Sequence, residues 1–183
     1  MTNSEFQTFF DCCVGSWVAE RTYHYLTSPD VERSRTEFHV EPLNNKLKHK
    51  VLSDNQYATP PDLETLPGFH LGFFTRSEKG DEVAQELNFL FVPRQEESEM
   101  LEGDYLRDRA YEESRPIVSH FRFHTATREL LMTTNYTRVI SSDSITLVNP
   151  NLRIRKIVNY LRPTEEIPLE SVMLVGFGVE QKV

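Results

Sequence analysis

Residues 149–160 read NPNLRIRKIVNY. Asn151, Arg153 and Arg155 alternate with Leu152, Ile154 and, beyond Lys156, Val158, which is the period of a β-strand. In a strand the two guanidinium groups point to the same side, about 7 Å apart along the chain. Two rigid, permanently charged forks on one sheet face make a receptor for a ligand with two carboxylates. The plainer reading is a solvated strand face carrying two ordinary arginines.

The same alternation, interrupted by turn chemistry, runs outward in both directions. Runs at 16–26, 34–42 and 46–53 read as the first three strands, with turns near Ser28-Pro29-Asp30 and Asn44-Asn45. Further strands are expected at 69–76, 84–92, 101–110, 116–124, 128–137, 139–148, 152–161 and 170–180. SEKGD, PRQEESE, EESRP, TAT, SSD and PTEEIP separate them. Residues 55–68, with Pro60, Pro61 and Pro67, read as a loop holding one helical turn in DLETL. Ten or eleven short strands at even spacing predict a mainly β chain, an up-and-down antiparallel barrel. Such a barrel removes its sheet edges and commonly encloses a ligand cavity.

Only the N-terminus has helical periodicity. Ser4 followed by Gln7 reads as a capping box, and Phe6, Phe9, Phe10 and Cys13 recur along one helical face until Gly15 ends it. A stripe of three aromatics must dock on something. The expected organisation is one domain over 1–183, with a helix at about 4–14 and the barrel at about 16–181.

Twenty basic and 28 acidic residues give a net charge of −8. That argues against nucleic acid, whose binders neutralise phosphates, and against an anionic membrane surface. No apolar run has the length of a membrane span, and MTNSEF lacks a signal-peptide pattern, so a soluble, intracellular protein is expected. The neighbours Cys12 and Cys13 cannot build a disulfide framework. CxxC, HExxH, GxGxxG, P-loop and GxSxG signatures are absent, and no metal is expected.

Three segments together resemble the S-type phycobiliprotein lyases, the CpcS/CpeS/CpcU family. They are FFDCCVGSWVAERTYHYL at 9–26, LEGDYLRDRAYEESRPIV at 101–118, and NPNLRIR itself. The W-x-x-x-R-T-x-H pattern of Trp17, Arg21, Thr22 and His24 adds to the likeness, which extends over nearly the whole chain. The resemblance implies a calycin- or lipocalin-like barrel of ten strands capped by the N-terminal helix. It implies a chromophore lyase that takes an open-chain tetrapyrrole, phycocyanobilin or phycoerythrobilin, and joins it through a thioether to a cysteine of an apo phycobiliprotein α or β subunit. The bilin is then the substrate, and no cofactor is implied. By carry-over, Arg153 and Arg155 hold the bilin propionates and Asn151 of the same motif lies beside them. Arg21 and His24 are the catalytic pair that aids protonation, Trp17 packs near the pocket, and Tyr136 belongs to the bilin site. The implied setting is a cyanobacterial cytoplasm or plastid stroma, with a sister lyase subunit as a further partner in a homodimer or heterodimer.

The chain departs from that pattern in two places. FHLGFFTR at 69–76 has no tryptophan, and Tyr136 is flanked by Asn135 and Thr137 instead of acids. His24 also has the opposite strand parity to Trp17 and Arg21, so a bulge must re-aim one of them or only one side faces the ligand.

Other candidates carry plainer readings. Arg107 and Arg109 share parity with Tyr105 and Tyr111 and extend the anion site, or pair with Asp104 and Asp108 at the surface. His120, Arg122 and His124 alternate with Phe121 and Phe123, which reads as phenylalanines inward and a solvated face outward. Cys13 sits on the helix's apolar stripe as a small hydrophobe. EESE and TEEIP are acidic turns. Three functions remain open: a bilin lyase, a non-catalytic partner subunit of a heteromeric lyase, and a carrier of bilin or another lipophilic acid.

Overall fold

The computed structural model describes residues 4–97, 99–108, 116, 118–163 and 171–183. Arg109, Tyr111 and the TEEIP turn lie outside them. Helix α1 (Ser4–Cys13) leads into β1 (Gly15–Tyr25) and β2 (Val31–Pro42). Helix α2 (Asn45–Asp54) and a single 3-10 turn (Leu63–Thr65) follow. The rest is strand: β3 (Gly68–Ser77), β4 (Glu82–Glu97), β5 (Met100–Arg107), β6 (Val118–His124), β7 (Glu129–Asn135), β8 (Val139–Asn149), β9 (Leu152–Leu161) and β10 (Val172–Lys182). Among the described residues these ten strands close into one antiparallel barrel, each beside its chain neighbour, with β10 completing the ring against β1.

Alternation is cleanest in β2. Ser34, Thr36, Phe38 and Val40 are buried inside while Arg33, Arg35, Glu37 and His39 stand outside. In β6, Phe121 and Phe123 point inward and Arg122 meets Glu102 at 3.0 Å on the outer face, as the sequence reading has it.

Helix α1 plugs one end of the barrel. Phe6, Phe9, Phe10 and Cys13 are all buried, Phe6 stacked on Phe121 at 5.3 Å and Phe10 edge-on to Phe91 at 5.0 Å. The carbonyls of its last turn, which lack helical partners, accept from Trp17 Nε1 (to Cys13, 2.8 Å) and Lys182 Nζ (to Cys12, 2.9 Å). Gly15, at φ +123°, turns the chain from helix into strand in a conformation other residues rarely adopt. Ser4, expected as the cap of a capping box, is the first residue of α1, and the Gln7 side-chain amide donates forward to Asp11 Oδ1 at 2.8 Å.

The run at 46–53 is the one clear misreading of an element: it is helix α2, not a strand. Lysines and a histidine interleaved with Leu47 imitate period two. The deciding signals are Asn44, whose side chain caps the Leu47 N–H at 2.9 Å, and the helically spaced burial of Lys48, Val51 and Leu52. α2 lies on the outer face of β4 and β5 and buries Leu90, Val92 and Leu106 there. Lys48 Nζ donates to the carbonyls of Leu63 and Glu64, and burial lowers its pKa.

Candidate functional site

Above the phenylalanine layer that receives α1, the barrel interior opens into a hollow of about 220 Å³. It runs from Phe38 and Phe69 to Arg107, where β5 ends, and Tyr136, just past β7. One wall is apolar, built by Leu71, Phe73, Leu87 and Phe89 of β3 and β4. The facing side carries Arg21, Arg153, Arg155 and Asp143. An apolar wall opposite fixed charges suits a flat amphipathic acid.

The charges are ordered by parity and register. Arg153 and Arg155 both point inward from β9, so the sequence expectation that they share a face holds. Their surroundings differ. Arg153 is 4% exposed, lies 4.4 Å over the Trp17 ring, and donates twice to Glu180 Oε2, at 3.0 and 2.6 Å. Arg155 donates through Nε to Asp143 Oδ1 at 2.8 Å and through a second N–H to Oδ2. Arg21, from β1, reaches the other Glu180 oxygen at 3.3 Å, and its Nε meets no acceptor among the described residues. Three guanidiniums thus share two carboxylates.

Burial alone would raise the Glu180 pKa, but Arg153, Arg155 and Arg21 together hold it below the usual carboxylate range. Arg153 and Arg155 move the other way. Burial disfavours their charge, and the anions beside them more than restore it, so both pKa values rise. Glycine makes the room: a Cβ on Gly178 of β10 would sit 3.2 Å from Arg21 Cγ and 3.7 Å from Arg155 Cβ. At the far end, an Arg107 N–H donates to the Tyr136 hydroxyl, and its guanidinium lies 5.3 Å from the centre of that ring.

Two residues singled out from sequence are not brought to the hollow. β1 pairs without a register shift through His24, opposite Val175 and Val31, so no bulge re-aims it and its exposed side chain lies on the outer face. Asn151 is exposed in the turn between β8 and β9. Its N–H donates to Asn149 Oδ1 at 2.9 Å and its carbonyl accepts from Lys182 N at 3.0 Å. The alternation starts one residue too late to carry it inward. Trp17 is fully buried and forms the floor under Arg153 instead of lining the hollow. Arg21 and Tyr136 do line it.

Sequence reasoning missed the two acids. Asp143 shares parity with Ile145 and Leu147, which marks an inward carboxylate on β8. Glu180 follows Gly176 and Gly178 on the inner face of β10, an acid at the end of an otherwise side-chain-free track. Asp143, on the strand after Tyr136, lines the same hollow.

A sequence profile described as "CpeS-like protein" matches residues 5–183. The chain belongs to the CpeS-like family. A protein named Chromophore lyase CpcS/CpeS 1 from Synechococcus sp. (strain JA-3-3Ab) is 58% identical over 98% of this chain and 97% of its own length. Chromophore lyase CpcS/CpeS 2 of Paulinella chromatophora is 26% identical over 90% of this CpeS-like chain and 83% of its own. The solved S-type phycobiliprotein lyase CPES from Guillardia theta superposes with a TM-score of 0.76, covering 97% of this chain and 92% of that one. At 15% identity that likeness speaks for the shared barrel.

Proposed function

We propose that this chain is a chromophore lyase that binds a linear tetrapyrrole and attaches it to a cysteine of a phycobiliprotein subunit, with residues 1–183 acting as one bilin-binding domain. The observation that carries the reading is the row of Arg21, Arg153 and Arg155 facing an apolar wall inside a closed barrel. A bilin brings what this hollow lacks: two propionates for three guanidiniums that share two carboxylates, and a flat conjugated surface for Phe73 and Phe89.

The roles follow from reach. Arg155 and Arg21 meet propionate, Arg153 fixes the floor on which they lie, and Asp143 faces the pyrrole N–H groups and keeps the pigment protonated. Tyr136 and Arg107 hold the outer end of the pigment. A hollow of 220 Å³ is smaller than the roughly 300–1,000 Å³ that encloses a drug-sized ligand, so one end of a four-ring pigment stays at the mouth. That end is the ring carrying the ethylidene group.

The acceptor's cysteine thiolate is the nucleophile. Its sulfur bonds to the ethylidene carbon, the double-bond electron pair moves onto the ring, and the ring carbon takes a proton. Nothing is oxidised or reduced. The barrel contributes orientation and a conjugated system made electrophilic by protonation. No helix among the described residues is long and apolar enough to cross a membrane. The setting that goes with the reaction is cyanobacterial cytoplasm or plastid stroma.

The test is to mix the purified chain with phycocyanobilin or phycoerythrobilin and an apo phycobiliprotein subunit, then measure chromophore that survives denaturation against the uncatalysed background. Transfer by the chain alone is expected. Transfer only when a sister lyase is added would make it a partner subunit. Retention without transfer would make it a carrier.

A further inference from the structure

Most polar groups around the hollow answer one another. Arg153 and Arg21 share Glu180, Arg155 holds Asp143, and Arg107 holds the Tyr136 hydroxyl. Tyr105 is an exception. It points inward from β5, lines the hollow, and at 6% exposure is the most buried tyrosine among the described residues. Its ring is fixed in place, stacked on Phe89 at 5.7 Å and tilted against Phe91 at 5.2 Å. Its hydroxyl has no hydrogen-bond partner among the described residues. Ser119, opposite it on β6, donates instead to Thr134 at 3.0 Å, while Arg107, Asp143, Tyr136 and Arg155 act on the phenol only through space. A buried hydroxyl without a partner is unfavourable until something accepts from it. Burial also pushes its pKa up, so the group stays a neutral donor at any ordinary pH.

We infer that Tyr105 orients the substrate by donating this hydrogen bond to a lactam carbonyl of the tetrapyrrole, at the end of the pigment that lies inside the barrel; this rests on the lyase reading above. The chemistry of the guest selects the acceptor. A linear tetrapyrrole carries its two carboxylates on the inner rings and ends in two lactams, each with a neutral carbonyl oxygen. The carboxylates go to the arginines of β1 and β9, and three strands separate β9 from β5 round the ring. A neutral donor set beside the apolar wall suits the neutral acceptor at the edge of a flat ring.

Depth agrees with that assignment. Tyr105 precedes Arg107, the last residue of β5, by two positions and so lies about 7 Å deeper than the mouth. With the ethylidene ring held at the mouth, the terminal ring at the opposite end is the one that comes down to the phenol. The hydroxyl then sets how far the pigment enters, and with it where the ethylidene carbon waits for the thiolate.

The test is Tyr105→Phe in the full chain, which deletes the hydroxyl and keeps the ring. Without pigment the variant should melt no lower than the parent, because the hydroxyl has nothing to lose there. A clearly lower melting temperature would reveal a partner within the free chain and overturn the assignment. Binding is then titrated by absorbance with phycocyanobilin and with its dimethyl ester, which keeps both lactams but lacks the carboxylates. Tyr105→Phe should weaken both by about tenfold, the loss of one hydrogen bond, and shift the bound absorption band. Arg155→Ala, by contrast, should weaken the free acid far more than the ester. Unchanged affinity of Tyr105→Phe for both pigments overturns the assignment and leaves the lyase reading standing. A loss confined to the free acid also overturns it, since the hydroxyl would then meet a propionate. A parent that retains neither pigment overturns the lyase reading itself and takes this assignment with it.

Discussion

Arg153 and Arg155 stand two residues apart on one strand, face the same hollow, and each donates twice to a carboxylate, yet the two pairs do different work. The Arg153–Glu180 pair is sealed: side chains 5% and 0% exposed, Trp17 beneath, and a buried thiol, Cys13, beside it. The Arg155–Asp143 pair is 24% and 20% exposed and opens on the hollow. A sealed pair belongs to the architecture, because removing one member strands a charge without water. An open pair can exchange its partner for a ligand at little cost. A repeated arginine in one motif therefore does not mean a repeated role.

The strongest way to break this contrast is to remove the acids one at a time. Glu180→Ala leaves Arg153 buried and uncompensated and should destabilise the fold by about 3–5 kcal/mol in a denaturant titration. Asp143→Ala, with water at hand for Arg155, should cost within about 1 kcal/mol. Equal losses would erase the distinction.

Ligand binding should show the reverse order. Arg155→Ala is expected to weaken bilin retention about 10- to 100-fold, the loss of a charge-assisted hydrogen bond, with little change in melting temperature. Asp143→Asn should keep the bilin but shift its bound absorption toward the unprotonated form, and an unshifted spectrum would remove Asp143 from proton handling.

The pH dependence sharpens the sealed half. Glu180's folded pKa lies below its unfolded value, so its contribution to stability is complete above the ordinary carboxylate range and is lost as pH falls through the folded value. Parent stability should therefore decline on acidification. In Glu180→Gln that decline should be shallower, as followed by melting temperature across the acid range.

The smallest effect is expected from Gly178→Ala. Its new methyl would press on Arg21 Cγ, shifting the guanidiniums by tenths of an ångström at about 1 kcal/mol or less. A displaced absorption band of bound bilin, without loss of binding, is the readout.

The barrel was legible because strands such as β2 and β9 obey period two with turn residues between them. Helix α2 was not, since its exposed lysines imitate alternation and its burial depends on contacts with β4 and β5 that no local pattern encodes. In the site, parity correctly paired Arg153 with Arg155 and set Arg21 apart from His24. Parity could not say that Asn151 falls in the turn. Nor could it say which distant acids answer the arginines, because Glu180 meets Arg21 across 159 positions of sequence, through the closure of β10 on β1.

Trp17 is the only tryptophan in the chain and lies between the cations of Arg153 and Lys182, at 4.4 and 5.2 Å from its ring. Its emission therefore comes from one place, the floor of the hollow, with no second indole to blur it. A coloured guest lodged above that floor would drain the excited state by energy transfer. The protein thus carries a built-in optical gauge of occupancy, readable without any label.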